Sequence, residues 1–547
     1  MSESEETKAK GITRREALKA GALALGGLAI GGAAAEAGST ANCGRSTDGN
    51  AGCQPGEPYY PTNDDSQKYT YFEQTLDTWY PLNDNDFHHY KAPETNEMRI
   101  IFLGSMVPPA RRAQQEMSIF VEVGPTETTE ADHFIFDCGS GVASNYAAMG
   151  IPYGIMNKVF ISHLHADHMS DLTHIYCFGA AGDRKSPLYV FGPSRSQVRN
   201  PKGSPEFYED GTKDMCQAFR KAWRWHSESM SFISTRDPNY MEPNGKPPSK
   251  KDWGLPHDPV PVGSDSPKDG YALIPIELDW RNYGKNGKPD NVAYDNPATG
   301  VKITHFPVIH CRQGSIGYKV EWNGLSMIYT SDTKPEIRSV EAASGSKPVD
   351  VFIHECGLPP DVWAFKNMGL RNPPLPPDQG GNQGVWDAWQ GAIAGMEEVQ
   401  DSSHTPPGAL AYLLNQINPH PRLTVATHFP TADDTTNCAA SIIRKYCPWV
   451  TFDPTQKRGN NFIFSFDLMV VRVFKTGAEP LISVFRGTVN DYGFGPVGSS
   501  PSPLDPAKYH NNDDTKSDDP CKQLDLETWI RPQDPETGAC NYRDDGY

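Results

Sequence analysis

Ser162-His163-Leu164-His165-Ala166-Asp167-His168 packs three imidazoles and a carboxylate into one short stretch, directly behind the apolar run Val159-Phe160-Ile161. In extended chain, residues two apart face the same side, so His163 and His165 can share one cation. Once the chain turns, Asp167 and His168 can face a second. Imidazole and carboxylate are ligands that zinc favours, at about 2.0–2.2 Å. Core packing has no use for such a cluster, because buried imidazoles and carboxylates without partners are costly. A histidine-rich surface turn is the plain alternative. A metal site instead requires a fold that brings more ligands to the end of this strand.

The rest of the chain suggests one large α/β unit. Short apolar runs mark strands at Met98–Leu103, Met117–Val123, His133–Phe136, Leu188–Phe191, Tyr271–Leu278, Val301–Phe306, Ile316–Trp322, Leu325–Thr330, Val349–Ile353 and Leu423–Ala426. Phe462–Phe474 with Leu481–Phe485 reads as a late hairpin, and Pro406-Pro407 starts a helix over Ala409–Ile417. Four stretches read as irregular: a polar lead-in over 38–95, an insertion over about 194–270 with one aromatic helical stretch near Phe219–Trp225, a loop over Gly357–Gly384, and a tail over 487–547. The core unit is thus 96–486.

The cluster His163-x-His165-x-Asp167-His168 resembles the signature of the metallo-β-lactamase superfamily. Other motifs follow that family's order. Phe134–Gly141 contains Asp137, which the resemblance makes an orienting residue for the histidine turn. Thr304–Tyr318 contains His310, with His305 as a competitor. Tyr329–Thr333 contains Asp332, and Leu423–Pro430 contains His428. The resemblance implies an αββα sandwich. It gives His163, His165 and His310 to one metal and Asp167, His168 and His428 to the other, with Asp332 bridging. The implied cofactor is a pair of divalent cations, zinc first, manganese or iron otherwise. In the implied chemistry a hydroxide held between them attacks the substrate. Asp137 and Asp171 are candidate acceptors for the far side of ligand rings.

Asp332 favours the branch holding tRNA 3′-processing phosphodiesterases (ribonuclease Z) and some arylsulfatases over true β-lactamases. Phe352–Cys356 and His404-Thr405 also resemble that branch, which makes Glu355 and His404 candidate proton donors and Asp167 a catalytic-site carboxylate. Arg312, Lys334 and Arg371 are candidate anion contacts, and Trp223, Trp225, Trp253 and Trp363 candidate parts of a lid. Expectation departs from the branch on substrate. The formal net charge of −18 opposes a polyanion, so no nucleic acid is expected and a small phosphodiester, sulfate or carboxylic ester is. A lactonase or β-lactamase and a non-catalytic metal-binding protein remain as alternatives.

Thr13-Arg14-Arg15 ahead of a weakly apolar run to Ala35, then Ala35-Glu36-Ala37, resembles a twin-arginine export signal over 1–37. The expected partner is therefore the twin-arginine machinery and the destination periplasmic or extracellular, with no stable membrane anchor. The pairs Cys43/Cys53, Cys438/Cys447 and Cys521/Cys540 are candidate disulfides in that compartment.

Overall fold

The computed structural model describes residues 71–486 apart from 83–87, 109–113, 231–269, 284–289, 359, 371–372, 430–434, 451–460 and 478. The twin-arginine segment, the tail 487–547, Arg371, Trp253 and the pairs Cys43/Cys53 and Cys521/Cys540 lie outside the described residues.

Two mixed sheets pack face to face. The first takes β1 (Tyr71–Thr75), β2 (Glu97–Gly104), β3 (Ser118–Val123), β4 (Asp132–Phe136), β5 (Lys158–Phe160), β6 (Leu188–Pro193) and β7 (Leu273–Leu278). The second takes β8 (Val292–Asn296), β9 (Val301–Pro307), β10 (Ile316–Trp322), β11 (Leu325–Tyr329), β12 (Val351–Glu355), β13 (Leu423–Thr427) and β14 (Phe462–Phe464). The chain returns to the first sheet with β15 (Met469–Phe474) and β16 (Leu481–Arg486). Strand orders are β1-β16-β15-β2-β3-β4-β5-β6-β7 and β14-β13-β12-β11-β10-β9-β8.

Alternation along the strands builds the layers. Ile100 and Phe102 of β2, Ile119 and Val121 of β3, and Tyr318, Val320 and Trp322 of β10 meet between the sheets. The other face of the first sheet, with Ile101, Phe120, Ile135 and Val159, packs on the helices Val142–Ala148 and Leu172–Ala181. Ile328, Phe352 and Ala426 of the second sheet pack on the helices Ile337–Ala343, Pro407–Gln416 and Thr435–Tyr446. The result is helix, sheet, sheet, helix, the expected αββα sandwich. Strands buried on both faces appear as unbroken apolar runs, which is why they were visible in sequence.

Strand direction decides where the ligands come together. β4 to β7 are parallel, as are β11 to β14, and β9 runs with β11 because both oppose β10. His163, His310, Asp332 and His428 each follow the carboxyl end of a strand, which in such sheets is where sites form.

Several readings need correction. The lead-in is not irregular throughout: β1 lies within it and pairs in parallel with β16, far along the chain. Phe462–Phe474 is not one strand of a hairpin, since β14 joins β13 while β15 crosses to the first sheet between β2 and β16. The supposed loop Gly357–Gly384 contains the helix Pro360–Asn367, whose Val362 and Phe365 pack with Trp389. Trp389 belongs to the helix Gln383–Ser403, where Gly384, Gly391 and Gly395 dilute an apolar stripe of Trp386, Trp389, Ile393 and Met396. Cys447 is a free thiol just beyond the helix Thr435–Tyr446. Cys438 lies nine positions back along that helix, at about 1.5 Å per residue, too far for a disulfide. No helix among the described residues is long and apolar enough to cross a membrane.

Candidate metal centre

The turn after β5 places His163 on the strand's exit and starts a single helical turn, Ala166–Met169, that presents Asp167 and His168. His163, Asp167 and His168 are buried, while His165 is exposed and stands at the mouth. Ring nitrogens of His163, His165 and His310 lie within 4.8 Å of one another, and so do single donor atoms of Asp167, His168, Asp332 and His428. Asp332 stands between these sets. Its Oδ2 is 3.3 Å from His168 Nε2, 3.8 Å from His310 Nε2 and 4.0 Å from His163 Nε2, and its Oδ1 is 3.3 Å from His428 Nδ1. Asp167 Oδ2 lies 3.3 Å from His428 Nε2. All seven expected ligands are therefore brought together. His305 is not among them; it is buried on β9, where its carbonyl accepts a hydrogen bond from Asn291 Nδ2.

The rings are held from behind. Asp137 accepts hydrogen bonds from Ser162 N and Oγ, His168 Nδ1 and Tyr329 OH, at 2.7–2.8 Å. His310 Nδ1 donates to Ser403 O at 2.9 Å, leaving Nε2 toward the cluster. Asp171 does not act this way; its carboxylate accepts from Ala143 N at the start of the helix Val142–Ala148. Three non-glycine residues around the site take left-handed backbone: Asp137 (φ 57°), Ser331 (φ 57°) and His428 (φ 54°). Such residues persist only where surroundings fix them, and they gather at functional sites. Ser331 occupies a glycine-like turn, and its Oγ donates to Ser162 Oγ at 2.6 Å.

Chemistry at the centre calls for cations. His163 Nε2, His168 Nε2, Asp332 Oδ1 and His428 Nδ1 are buried without a hydrogen-bond partner, a costly state for polar atoms. Burial holds the His163 imidazole well below its ordinary value and brings His310 down to about 3. Both rings are thus neutral, the form that ligates. Burial works to raise the carboxyls of Asp167 and Asp332, but the facing imidazoles outweigh it and hold both below the usual range. Burial works to lower His168, but the carboxylates of Asp332, Asp167 and Asp137 outweigh it and raise the imidazole well above its ordinary value, so a bound cation would take the place of its proton. Neutral His163 and His310 rings, ionised carboxylates and unused donor atoms fit divalent metal ions.

Beside the ligands, Glu355 Oε2 lies 2.8 Å from His404 Nδ1. The His404 ring is 5.0 Å from that of His310 and 5.8 Å from that of His428. Burial lowers His404, yet the Glu355 carboxylate more than offsets it and lifts the imidazole to about 9. His354 points away, its Nδ1 donating to the Glu355 carbonyl at 2.8 Å. His174 packs against Tyr153 and Phe178 on the helix Leu172–Ala181, and Arg312 is tied to Asp210 at 2.8 Å. Trp225 is 83% exposed on the helix Arg224–Met230, which packs beside Leu172–Ala181, and Trp223 stands at the end of the helix Thr212–Ala222. Sequence reasoning missed Ser162, Tyr329 and Ser331, whose hydroxyls complete the Asp137 network; only their adjacency to motif residues hinted at it.

Residues 119–213 match the family model described as anti-Pycsar protein Apyc1. The chain is 38% identical to a ribonuclease Z of Treponema denticola over 66 residues, 12% of this chain and 21% of the relative. It is 31% identical to a ribonuclease BN of an Enterobacter species over 97 residues, 18% of this chain and 31% of the relative. The matched segments thus span only a fifth to a third of these relatives. Among solved structures, the metallo-β-lactamase fold protein YhfI of Bacillus subtilis aligns at TM-score 0.37 and 12% identity, over 69% of this chain and 99% of that one. Human tRNase Z, short form, aligns at TM-score 0.37 and 15% identity, over 68% and 98%.

These relatives overturn one expectation. The sequence relatives are ribonucleases by name, so nucleic acid is not excluded as a partner, and a substrate confined to small esters does not follow. Net charge was the wrong guide: it sums the whole chain, whereas recognition depends on the field at the site. With its two-sheet architecture and ordered motifs the chain has the metallo-β-lactamase fold, and over a short segment its sequence is similar to ribonuclease Z and ribonuclease BN.

Proposed function

We propose that this chain is a metal-dependent phosphodiester hydrolase holding two divalent cations, zinc first, with manganese or iron as alternatives. Asp332 carries the proposal: its two oxygens face both donor sets at 3.3–4.0 Å, so one carboxylate can tie two ions together. Two such ions supply an activated water and offset charge on the reacting oxygens. His163, His165 and His310 would hold one ion; Asp167, His168 and His428 the other. Asp137 keeps His168 turned toward the site. His404, kept protonated by Glu355, stands at the edge of the cluster as the proton donor to the departing oxygen. The substrate proposed is a phosphodiester, RNA included, on the strength of the ribonuclease relatives. The twin-arginine segment supports export, which Arg14→Lys with Arg15→Lys should abolish in cell fractionation.

Bis-(p-nitrophenyl) phosphate and a short RNA test the activity side by side. We expect turnover of at least one, reduced roughly 100-fold or more by His165→Ala or Asp332→Ala. Full activity in either variant sinks the proposal. Turnover of nitrocefin or lactones with none on either phosphodiester would move the chain to the lactonase and β-lactamase class.

A further inference from the structure

The last ligand, His428, sits in left-handed backbone (φ 54°) at the end of β13. That conformation is costly for a non-glycine residue, so something must hold it. The peptide groups of the next residue, Phe429, are gripped at both ends. Phe429 N donates to Ser105 O at 3.1 Å, and Gln114 Nε2 donates to Phe429 O at 2.9 Å. Gln114 Nε2 also donates to Ser105 Oγ at 3.0 Å.

The grip is anchored in turn. Ser105 Oγ donates to Asp467 Oδ1 at 2.9 Å, and Asp467 Oδ2 accepts from Gln115 N at 2.7 Å and Asn145 Nδ2 at 2.9 Å. Ser105 N and Met106 N both donate to Gln115 O, which closes the loop after β2 on itself. Asp467 lies in the turn between β14 and β15, where the chain crosses from one sheet to the other. One carboxylate therefore joins the end of β2, the helix Val142–Ala148 and the sheet crossover to the backbone that aims His428.

We propose that Gln114, Ser105 and Asp467 form a clamp that positions His428 for the second cation, making Gln114 and Asp467 positioning residues rather than catalytic ones. The inference rests on the two-cation proposal above. Neither side chain touches the donor atoms; each acts through the Phe429 peptide. Losing the clamp should let His428 relax out of left-handed backbone and weaken one ion while leaving the other.

The test is competitive chelator titration of zinc on the full chain, wild type against Gln114→Glu, Asp467→Asn and His428→Ala, with Tm read alongside. Gln114→Glu keeps the size but removes the amide that donates to Phe429 O. We expect both clamp variants to weaken one of two zinc ions by about 10-fold or more, in the manner of outer partners of ligands, as His428→Ala does, with the other ion at wild-type affinity. Wild-type affinity for both ions in both clamp variants overturns the clamp alone. Equal weakening of both ions in step with a lowered Tm also overturns it, because that is what a general structural role produces. A wild-type chain binding fewer than two zinc ions, or His428→Ala binding both normally, overturns the two-cation proposal and the clamp with it.

Discussion

Ser331 shows how a single residue can be strained and useful together. It sits in left-handed backbone just ahead of Asp332, and its hydroxyl joins the Asp137 and Ser162 network. Replacing it separates the two effects. Ser331→Ala and Ser331→Gly both lose the hydroxyl, but only glycine accepts φ 57° freely. The glycine variant should therefore be more stable than the alanine variant by about 1 kcal/mol, measured by urea denaturation; equal stabilities would show that the turn carries no strain. His404 makes a second case. If it protonates the departing oxygen, His404→Ala should cost about 100-fold on an RNA linkage. It should cost far less on bis-(p-nitrophenyl) phosphate, whose leaving group needs no proton. Equal losses on both substrates would remove His404 from that role. At this scale much was legible in the sequence. His163 to His168 declare themselves by density, and Asp332 and His428 by standing just beyond apolar strands. Choosing His310 over His305 needed the family's spacing to Gly317-Tyr318, because both stand in the one motif Thr304–Tyr318. Ser105, Gln114 and Asp467 were not legible, since each matters only through partners more than 300 positions away or through a backbone peptide.

Elements bring those residues into register, and their ends carry charges of their own. Glu336 caps the helix Ile337–Ala343, accepting from the backbone N–H groups of Arg338 and Ser339. Burial raises its carboxyl to about 7 despite those donors. A carboxyl raised on folding contributes stability fully below its unfolded value near 4.5 and loses it as pH climbs through about 7. Glu336→Gln does not titrate. The stability of wild type relative to this variant should thus fall between pH 4.5 and 7, by on the order of 3 kcal/mol, and then level off. A difference that is flat across that range, in Tm measured at each pH, contradicts the buried cap. Elements also mark where sequence reading stops. β2, β3 and β13 were visible because both faces are buried and carry mostly apolar residues. β1 was not, because its identity as a strand comes from pairing with β16. Gln383–Ser403 was hidden by its glycines, and the split of Phe462–Phe474 is set by which sheet each half joins.

Across the whole molecule, the two sheets are held in one relation by contacts that also serve the site. Tyr318 OH, from the second sheet, donates to Ile161 O just before the histidine turn at 2.7 Å, and Tyr329 OH reaches Asp137 at 2.7 Å. Ligands come from both sheets, so cations bound among them should also cross-link the layers. Binding to the folded state alone stabilises it by mass action. Stripping metal with a chelator should therefore lower Tm by several degrees, and added zinc should restore it; an unchanged Tm would mean that no ion joins the sheets. The most direct test of the account is the metal content of the purified chain, wild type beside Asp332→Ala, by elemental analysis on folded protein. The account predicts about two zinc-like ions per wild-type chain and at most one tightly held in the variant. Wild-type protein that stays metal-free under zinc-replete conditions, or a variant that still keeps both ions, would contradict it.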